Sequence, residues 1–199
     1  MMKKLMKKVM VTSVLIAWSI FWASSAQAVL LSFQPVSQNA QISDVVNVDV
    51  VVSGLGNGVA PSLGDFDLDV SYDNSILNAT GGSIGPFLGD PGLGEAITFS
   101  NLLPGVVDFG EVSLLFDFEL NALQADTFTL ATLTFDAIGV GTSALNFTKT
   151  IMGDAFGQPL PVTTSSGEVI VSAPTPATLV LLGVGLMGLA VSGSRKQNS

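Results

Sequence analysis

Residues 29–172 of this chain predict an all-β sandwich of about eight or nine strands. Three observations support this fold class. One segment alternates strictly between apolar and acidic residues, which only a strand with one buried face uses well. Loops rich in glycine and proline separate the apolar segments. An amphipathic helical pattern is lacking between the two termini, so we expect two sheets packed on each other.

The alternating segment, residues 63–72, is the clearest strand. Its apolar positions predict one face buried in the core; they are Phe66, Leu68, Val70 and Tyr72. Asp65, Asp67 and Asp69 occupy the positions between them, so we expect the opposite face to be acidic and in contact with water.

Six further segments predict the other strands: residues 44–53, 95–101, 105–120, 126–138, 144–150 and 167–171. The valine-rich first segment is expected to be buried on both faces or to lie beside a covered edge. The apolar pattern of 105–120 changes phase at Gly110, which predicts a bulge or a break into two strands. The pattern of 126–138 changes phase in the same way between Leu130 and Leu133.

Composition excludes several classes of function. The chain has neither cysteine nor histidine, so disulfides, thiolate metal sites and the usual neutral general base are absent. Residues 29–173 carry sixteen acidic residues against one basic residue, Lys149, a net charge of −15 that opposes nucleic-acid binding. Four glutamates show no spacing that singles out an acid and a base: Glu95, Glu111, Glu119 and Glu168. We therefore predict that the protein is not an enzyme.

The N-terminus, residues 1–28, predicts a secretory signal peptide. Four lysines precede an apolar stretch, and Ala26-Gln27-Ala28 forms a small-x-small cleavage site that would leave Val29 as the first mature residue. An uncleaved anchor helix is the alternative. Either form places the following domain outside the cytoplasm.

The C-terminus predicts a short transmembrane helix over residues 177–193. These 17 uncharged residues would span roughly 25 Å as a helix, near the lower limit for crossing a bilayer. Arg195 and Lys196 follow, as the positive-inside rule expects on the cytoplasmic side. The alternative is a C-terminal helix buried in the domain.

The last 27 residues, 173–199, resemble a PEP-CTERM sorting tail of exported proteins in Gram-negative bacteria. The resemblance rests on Pro174-Thr175-Pro176, the apolar run and the final basic pair, with Thr175 where the family usually has glutamate. It implies a transient membrane anchor, processing by an exosortase-like enzyme, and delivery to the cell surface or the extracellular matrix.

Three segments of the domain are similar to cohesin sequences. Residues 66–77 match an alternating strand that ends in Tyr-Asp-Pro-x-x-Leu, with Asn74 in place of proline. Residues 130–135 match a Leu-Ala-x-Leu-x-Phe strand, and 167–171 match a closing Gly-x-Val-x-Val strand. The resemblance implies a nine-stranded cohesin-like jelly roll, a fold shared with several carbohydrate-binding modules, and a dockerin-like protein as one candidate partner.

Asp65, Asp67, Asp69 and Tyr72 are the candidate binding residues. Three interpretations of the aspartates remain open: a solvated surface that resists aggregation, a contact face for a basic partner, or a metal site. An EF-hand loop starting at Asp65 is excluded, because Val70 and Ile76 stand where glycine and glutamate are required. Asp90 and Asp154 are expected to be ordinary turn residues, and no cofactor or metal is predicted.

The predicted function is that of a non-catalytic, exported interaction module that binds a protein or an exopolysaccharide. Two alternatives remain, a carbohydrate-binding module and a structural matrix component without a specific ligand. Trp18 and Trp22 lie in the signal peptide, which leaves Tyr72 as the only tyrosine or tryptophan of the domain. A glycan site would therefore depend on phenylalanines in loops, such as Phe87 and Phe156.

Overall fold

The computed structural model describes residues 28–174 and Met187. The described chain forms eleven strands, more than the predicted eight or nine. They are β1 (Val29–Gln34), β2 (Ser37–Gln41), β3 (Val45–Ser53), β4 (Leu63–Ser71), β5 (Leu77–Ile84), β6 (Ala96–Leu103), β7 (Val106–Ser113), β8 (Thr127–Ala137), β9 (Gly141–Asp154), β10 (Val162–Thr164) and β11 (Gly167–Ser172). Two 3-10 helices, Pro86–Leu88 and Pro91–Leu93, join β5 to β6, and one α-helix, α1 (Asp117–Leu123), joins β7 to β8.

The strands form two sheets. One has the order β10-β1-β3-β8-β5 and the other β2-β11-β9-β4-β7-β6. Strands β1 and β10 pair in parallel, as do β2 and β11, and the remaining pairs are antiparallel. Because β1 and β2 follow each other but lie in different sheets, the N-terminal segment connects both layers.

The core lies between the sheets and is made of the inward side chains of both. Its largest fully buried members include Phe33, Phe66, Phe109 and Phe135. Phe66 and Phe109 pack edge to face with ring centroids 6.0 Å apart. Burying one such side chain stabilises a fold by about 1.5–3 kcal/mol, so these phenylalanines are principal contributors to the stability of the sandwich.

Strand β4 confirms the alternating pattern. Phe66, Leu68, Val70 and Tyr72 are buried, while Asp65, Asp67 and Asp69 are partly exposed on the other side. Strand β3 buries its even-numbered valines, from Val46 to Val52, and Val51 on the opposite side as well.

The phase change predicted in β8 is a β-bulge. Val50 of β3 pairs with Ala131 and Val51 pairs with Thr129, so Leu130 is the extra residue. Leu130 and Ala131 are both buried as a result. The bulge explains why consecutive residues of this strand point into the core.

The prediction for residues 105–120 is wrong in two respects. Strand β7 passes Gly110 without a bulge or break, and its alternation continues so that Glu111 faces the core and Val112 faces solvent. The strand ends at Ser113, and the apolar residues that follow belong to a loop and to α1. The helix begins because the Glu119 carboxylate accepts a hydrogen bond from the Phe116 amide at 2.9 Å, and Leu120 anchors it in the core.

Strands β1, β2, β5 and β10 were not among the predicted segments. Strand β2 reads Ser-Gln-Asn-Ala-Gln and buries only Ala40, so it carries almost no apolar signal. Strand β5 contains two adjacent glycines, which favour a turn in a sequence pattern. Both strands form because neighbouring strands supply their hydrogen bonds.

The predictions for the termini fall mainly on residues outside the described range. These include the signal peptide apart from Ala28, the 177–193 helix apart from Met187, and the sorting residues other than Pro174. Ala28 and Pro174 are exposed at the two ends of the domain. Within residues 28–174, no helix has the length and apolar character needed to span a bilayer.

Candidate functional site

The outward side of β9, β4, β7 and β6 forms a continuous surface that we call the acidic–apolar face. Backbone pairing arranges its side chains in rows across the four strands. One row is Ile151, Asp67, Gly110 and Phe99, and the next is Lys149, Asp69, Asp108 and Asn101. A third row contains Gly153, Asp65, Val112 and Ile97.

The acidic part of this face is a cluster of Asp67, Asp69 and Asp108. One carboxylate oxygen from each lies within 4.8 Å of the others. Lys149 Nζ lies 2.6 Å from Asp67 Oδ2 and partly neutralises the cluster. Asp108 also accepts a hydrogen bond from the Asn101 amide nitrogen at 3.1 Å. Asp67 and Asp69 of β4 thus lie beside Asp108 of β7. The sequence pattern did not single out Asp108.

The electrostatics of the cluster reflect its crowding. Desolvation, followed by repulsion from Asp108, raises the pKa of Asp69. The hydrogen bond with Asp67 raises the pKa of Lys149, so the ammonium is held in its charged form. With three carboxylates and one ammonium, the cluster keeps net negative charge that a basic group of a partner can neutralise.

Asp65 lies apart from this cluster, over the backbone of Gly153. Partial burial and the nearby charge of Asp154 raise its pKa. A side chain at position 153 would collide with the Asp65 carboxylate, so the glycine makes room for it. Asp65 therefore extends the negative surface toward the next row.

The apolar part of the face consists of Ile97, Phe99, Val112 and Ile151, all exposed. Ile97 pairs directly with Val112, and its side chain is 61% exposed. The Phe99 ring lies over Gly110, where any Cβ would collide with it. Gly110 thus leaves room for an exposed aromatic ring and does not mark a bulge in the strand.

Tyr72, the fourth candidate residue, lies on the core side. It is only 8% exposed, and its ring packs edge to face on Phe135 at 5.2 Å. Its hydroxyl donates a hydrogen bond to the Leu103 carbonyl oxygen at 2.9 Å, joining the end of β4 to the end of β6. The structure places the three aspartates on one surface, with Asp65 apart from Asp67 and Asp69, and places Tyr72 in the core.

Asp90 and Asp154 confirm their prediction as turn residues. The Asp90 carboxylate accepts from the Gly92 amide at 2.7 Å, and Asp154 accepts from the amides of Phe156 and Gln158, both at 2.8 Å. These are the local hydrogen bonds that aspartate typically makes in turns.

The outward side of the five-stranded sheet differs from the acidic–apolar face. Most of its side chains are threonine, serine, asparagine or aspartate, although Leu30 and Val45 are also exposed there. Two pairs of polar side chains bond to each other across β3 and β8. Thr132 donates to Asp49 at 2.6 Å, and Thr134 donates to Asn47 at 2.9 Å. Polar groups that are satisfied within the sheet leave this side with less capacity for a partner.

Sequence reasoning missed the residues that complete the acidic–apolar face: Ile97, Phe99, Asp108 and Val112. The sequence contains one signal for them: around Gly110 the alternation of apolar and polar residues changes phase. This change predicts a bulge, although it results from Glu111 facing the core and Val112 facing solvent. Only the pairing of β7 with β4 and β6 shows which side each residue occupies.

Known protein families and curated proteins show no match to this sequence. Solved structures do match its fold. A cohesin from Clostridium acetobutylicum, determined in solution, is 21% identical with a TM-score of 0.59 over 74% of this chain and 92% of that chain. A chain from a type I cohesin–dockerin complex of Clostridium thermocellum is 12% identical with a TM-score of 0.60, covering 73% and 99%.

A non-cellulosomal cohesin from the hyperthermophilic archaeon Archaeoglobus fulgidus also matches, at 16% identity and a TM-score of 0.57, over 73% of this chain and 91% of that chain. The domain is therefore an all-β sandwich of two sheets with a cohesin-like fold. At these identities the likeness defines the fold, and function must be argued from the site.

Proposed function

We propose that the domain is a non-catalytic protein-binding module whose partner docks on the acidic–apolar face. The observation that carries this proposal is the contrast between the two outer surfaces of the sandwich. One combines exposed Ile97, Phe99, Val112 and Ile151 with a cluster of carboxylates. The other is mostly polar, with two pairs of side chains bonded to each other, and it exposes only Leu30 and Val45 among the large apolar residues of β1 and β3. Exposed apolar side chains beside a net negative charge are the composition of a binding surface.

The chemistry of this face indicates the character of the partner. An apolar side chain would pack on Phe99 and Ile97, and a lysine or arginine would pair with Asp69 and Asp108. Structures with the same fold occur in complexes named cohesin–dockerin, which supports a dockerin-like protein as the partner. The residues of this face lie on four hydrogen-bonded strands, so the surface needs little ordering on binding.

A capture experiment with matched variants tests this proposal. Phe99→Ala removes the exposed ring, and Thr134→Ala changes a half-exposed residue of the opposite sheet as the control. We expect a protein from the host's extracellular fraction to be retained by the wild type and by Thr134→Ala but not by Phe99→Ala. Calorimetry with that purified protein should show at least a tenfold loss of affinity for Phe99→Ala, about 1.4 kcal/mol.

Two results would contradict the proposal: retention of the same protein by all three forms, or no protein retained by the wild type. Asp69→Asn separates the electrostatic contribution, because a charge near an interface mainly affects the association rate and its dependence on salt. We expect this variant to bind more slowly at low ionic strength and to differ little from the wild type at 0.5 M NaCl.

A glycan is the second candidate ligand, and one observation favours it. Phe116 and Phe118 are 68% and 64% exposed, and their rings lie nearly parallel with centroids 5.7 Å apart. Such a pair presents a flat apolar surface to a sugar ring. Electrophoresis in gels containing the host exopolysaccharide tests this role, with retardation of the wild type and normal mobility of a Phe116→Ala, Phe118→Ala double variant as the expected result.

We further propose that the protein is exported and sorted through its C-terminal tail. The support comes from the sequence: a signal peptide over 1–28, then Pro174-Thr175-Pro176, an apolar run, and Arg195-Lys196. Intact mass measurement of the protein from its host is the test. Loss of both terminal segments is expected, whereas a membrane-bound product that retains Arg195 and Lys196 would contradict sorting.

A further inference from the structure

A cavity of about 370 Å³ lies between β5 and β6, on the side of the sandwich where the edge strands of the two sheets face each other. The two 3-10 helices and the end of α1 cover it. Its volume lies at the lower end of the range of about 300–1,000 Å³ found for small-ligand sites. It is separate from the acidic–apolar face, because its wall includes the inward side of β7.

Glu111 lines this cavity and has no partner. The residue is 1% exposed, and neither carboxylate oxygen accepts a hydrogen bond. Phe66 and Thr98 are its neighbours across the two adjacent strands. An unpaired carboxyl group that is shielded from water is costly to a fold unless a ligand or a proton neutralises it.

The charged groups around the cavity are all acidic. Asp90 and Glu95 line it together with Glu111, and the described lining contains neither lysine nor arginine. Glu95 Oε2 is engaged by the Asp90 amide at 3.0 Å, and Asp90 Oδ1 by the Gly92 amide. Glu111 is therefore the lining carboxylate of which neither oxygen accepts a hydrogen bond, and both oxygens are shielded from water. Burial raises its pKa to about 7, so the group can ionise near neutrality when a cation approaches.

The rest of the wall indicates an organic cation rather than a metal ion. Ile84, Pro86, Pro91 and Leu123 supply apolar surface. Among the described residues, the group of three carboxylates close enough to share a metal is Asp67, Asp69 and Asp108, which lies outside this cavity. An aliphatic stem can pack on the apolar wall while its cationic end pairs with one carboxylate, as lysine and arginine side chains do.

We propose that this cavity is a binding site for an alkyl cation, an ammonium or guanidinium group on an aliphatic stem, with Glu111 as its counter-ion. The cation has two sources with the same chemistry: a free alkylamine, or a lysine or arginine side chain of a protein partner. The site itself does not depend on the partner proposed above, whereas the second source does.

Calorimetry on the full chain in a mild nonionic detergent tests this proposal at pH 8. The probes are n-butylammonium, n-butylguanidinium and, as the uncharged control, n-butanol. We expect saturable binding of both cations to the wild type and at least a tenfold weaker affinity in Glu111→Gln. Binding at pH 5 should be weaker than at pH 8, because protonated Glu111 offers no charge.

Two further variants keep the test decisive. Leu123→Ala shortens the exposed end of the apolar wall and should weaken binding severalfold without removing the carboxylate. Asp136→Asn removes a charge from the outward side of the five-stranded sheet and should leave cation binding unchanged. No saturable binding to the wild type, or equal weakening in Asp136→Asn and Glu111→Gln, would overturn the proposal, since the latter result means general attraction to an acidic domain.

The two sources are distinguished by a third probe, lysine blocked as its N-acetyl methylamide. Tighter binding of the blocked lysine than of n-butylammonium indicates a side chain from a partner, and the reverse order indicates a free amine. Failure of the capture experiment with Phe99→Ala would remove the proposed docking face and leave this site unaffected, so the two proposals fail separately.

Discussion

Glu111 is a buried carboxyl group on the inward side of β7, and it affects the stability of the domain. It follows Val107 and Phe109 on the inward side of β7, where the pattern calls for a third apolar side chain. A carboxyl group in that position loses its hydration without gaining a hydrogen bond. The cost depends on its protonation, which makes the stability of the domain dependent on pH.

Glu111→Gln tests this dependence. The pKa of Glu111 is about 7 in the folded state and near 4.5 when exposed, so folding favours the protonated form. Stability attributable to this group is present below about pH 4.5 and is lost as the pH rises through 7. We expect urea unfolding at pH 8 to show Glu111→Gln more stable than the wild type by about 1–3 kcal/mol, and the difference to be small at pH 4.5.

The control for this comparison is Ser83→Ala, at an exposed position of β5. Because neither side chain titrates, its difference from the wild type should be the same at pH 4.5 and pH 8. Parallel pH profiles for the wild type and Glu111→Gln would show that the buried carboxyl group carries no such penalty.

At the scale of elements, α1 is the clearest departure from the predicted architecture. Alternating apolar residues from Val112 to Leu120 predict a strand, yet the chain leaves the sheet at Ser113 and forms a helix. The helix is short, so its position depends on tertiary bonds rather than on helix propensity. Gln124, at its C-terminal end, supplies those bonds.

Gln124 connects α1 to β4 and to the first 3-10 helix. Its side-chain oxygen accepts from the Leu63 amide at 2.7 Å, and its nitrogen donates to the carbonyl oxygens of Leu63, at 2.7 Å, and Phe87, at 3.0 Å. Gln124→Leu has similar volume and leaves these buried backbone groups unpaired. We expect a loss of at least about 2 kcal/mol in the free energy of unfolding, measured by urea denaturation.

Gln158→Leu is the matched control, because the Gln158 side chain is exposed. It should change stability by less than about 0.5 kcal/mol. If Gln124→Leu were equally mild, the hydrogen bonds of Gln124 would not hold α1 in place.

At the scale of the whole molecule, the dominant property is charge. Residues 29–173 carry −15, and Lys149 is the one basic residue among them. Like charges at this density repel each other and destabilise the compact state, while they keep the protein soluble. The repulsion is long-ranged and is screened by salt.

Salt should therefore stabilise the domain. We expect the midpoint of urea unfolding at pH 7.5 to rise between 0.02 M and 0.5 M NaCl, because the folded state concentrates negative charge more than the unfolded chain does. Near pH 4, where most carboxyl groups lose their charge and the full chain reaches its pI of about 4.1, the same change in salt should have a much smaller effect. A midpoint that does not depend on salt at pH 7.5 would show that the charges are too widely spaced to interact.

The local sequence pattern was sufficient to predict the all-β sandwich as a class and the position of its clearest strand. Residues 63–72 alternate so strictly that their buried and exposed sides follow from the sequence, and the phase change in β8 correctly predicts an irregularity. Strands β2 and β5 could not be predicted, because their residues carry little apolar signal and they form by pairing with neighbours.

The sequence by itself determined the all-β class, the acidity of the domain and the exposure of Asp65, Asp67 and Asp69, since these depend on composition and on periodicity within one segment. Tertiary structure decided which residues join the aspartates and which carboxyl group is buried. Asp108 and Phe99 reach the acidic–apolar face only because β7 and β6 pair with β4 in one register. The same register turns Glu111 inward, because a strand's two faces are assigned by its partners when its own pattern is ambiguous.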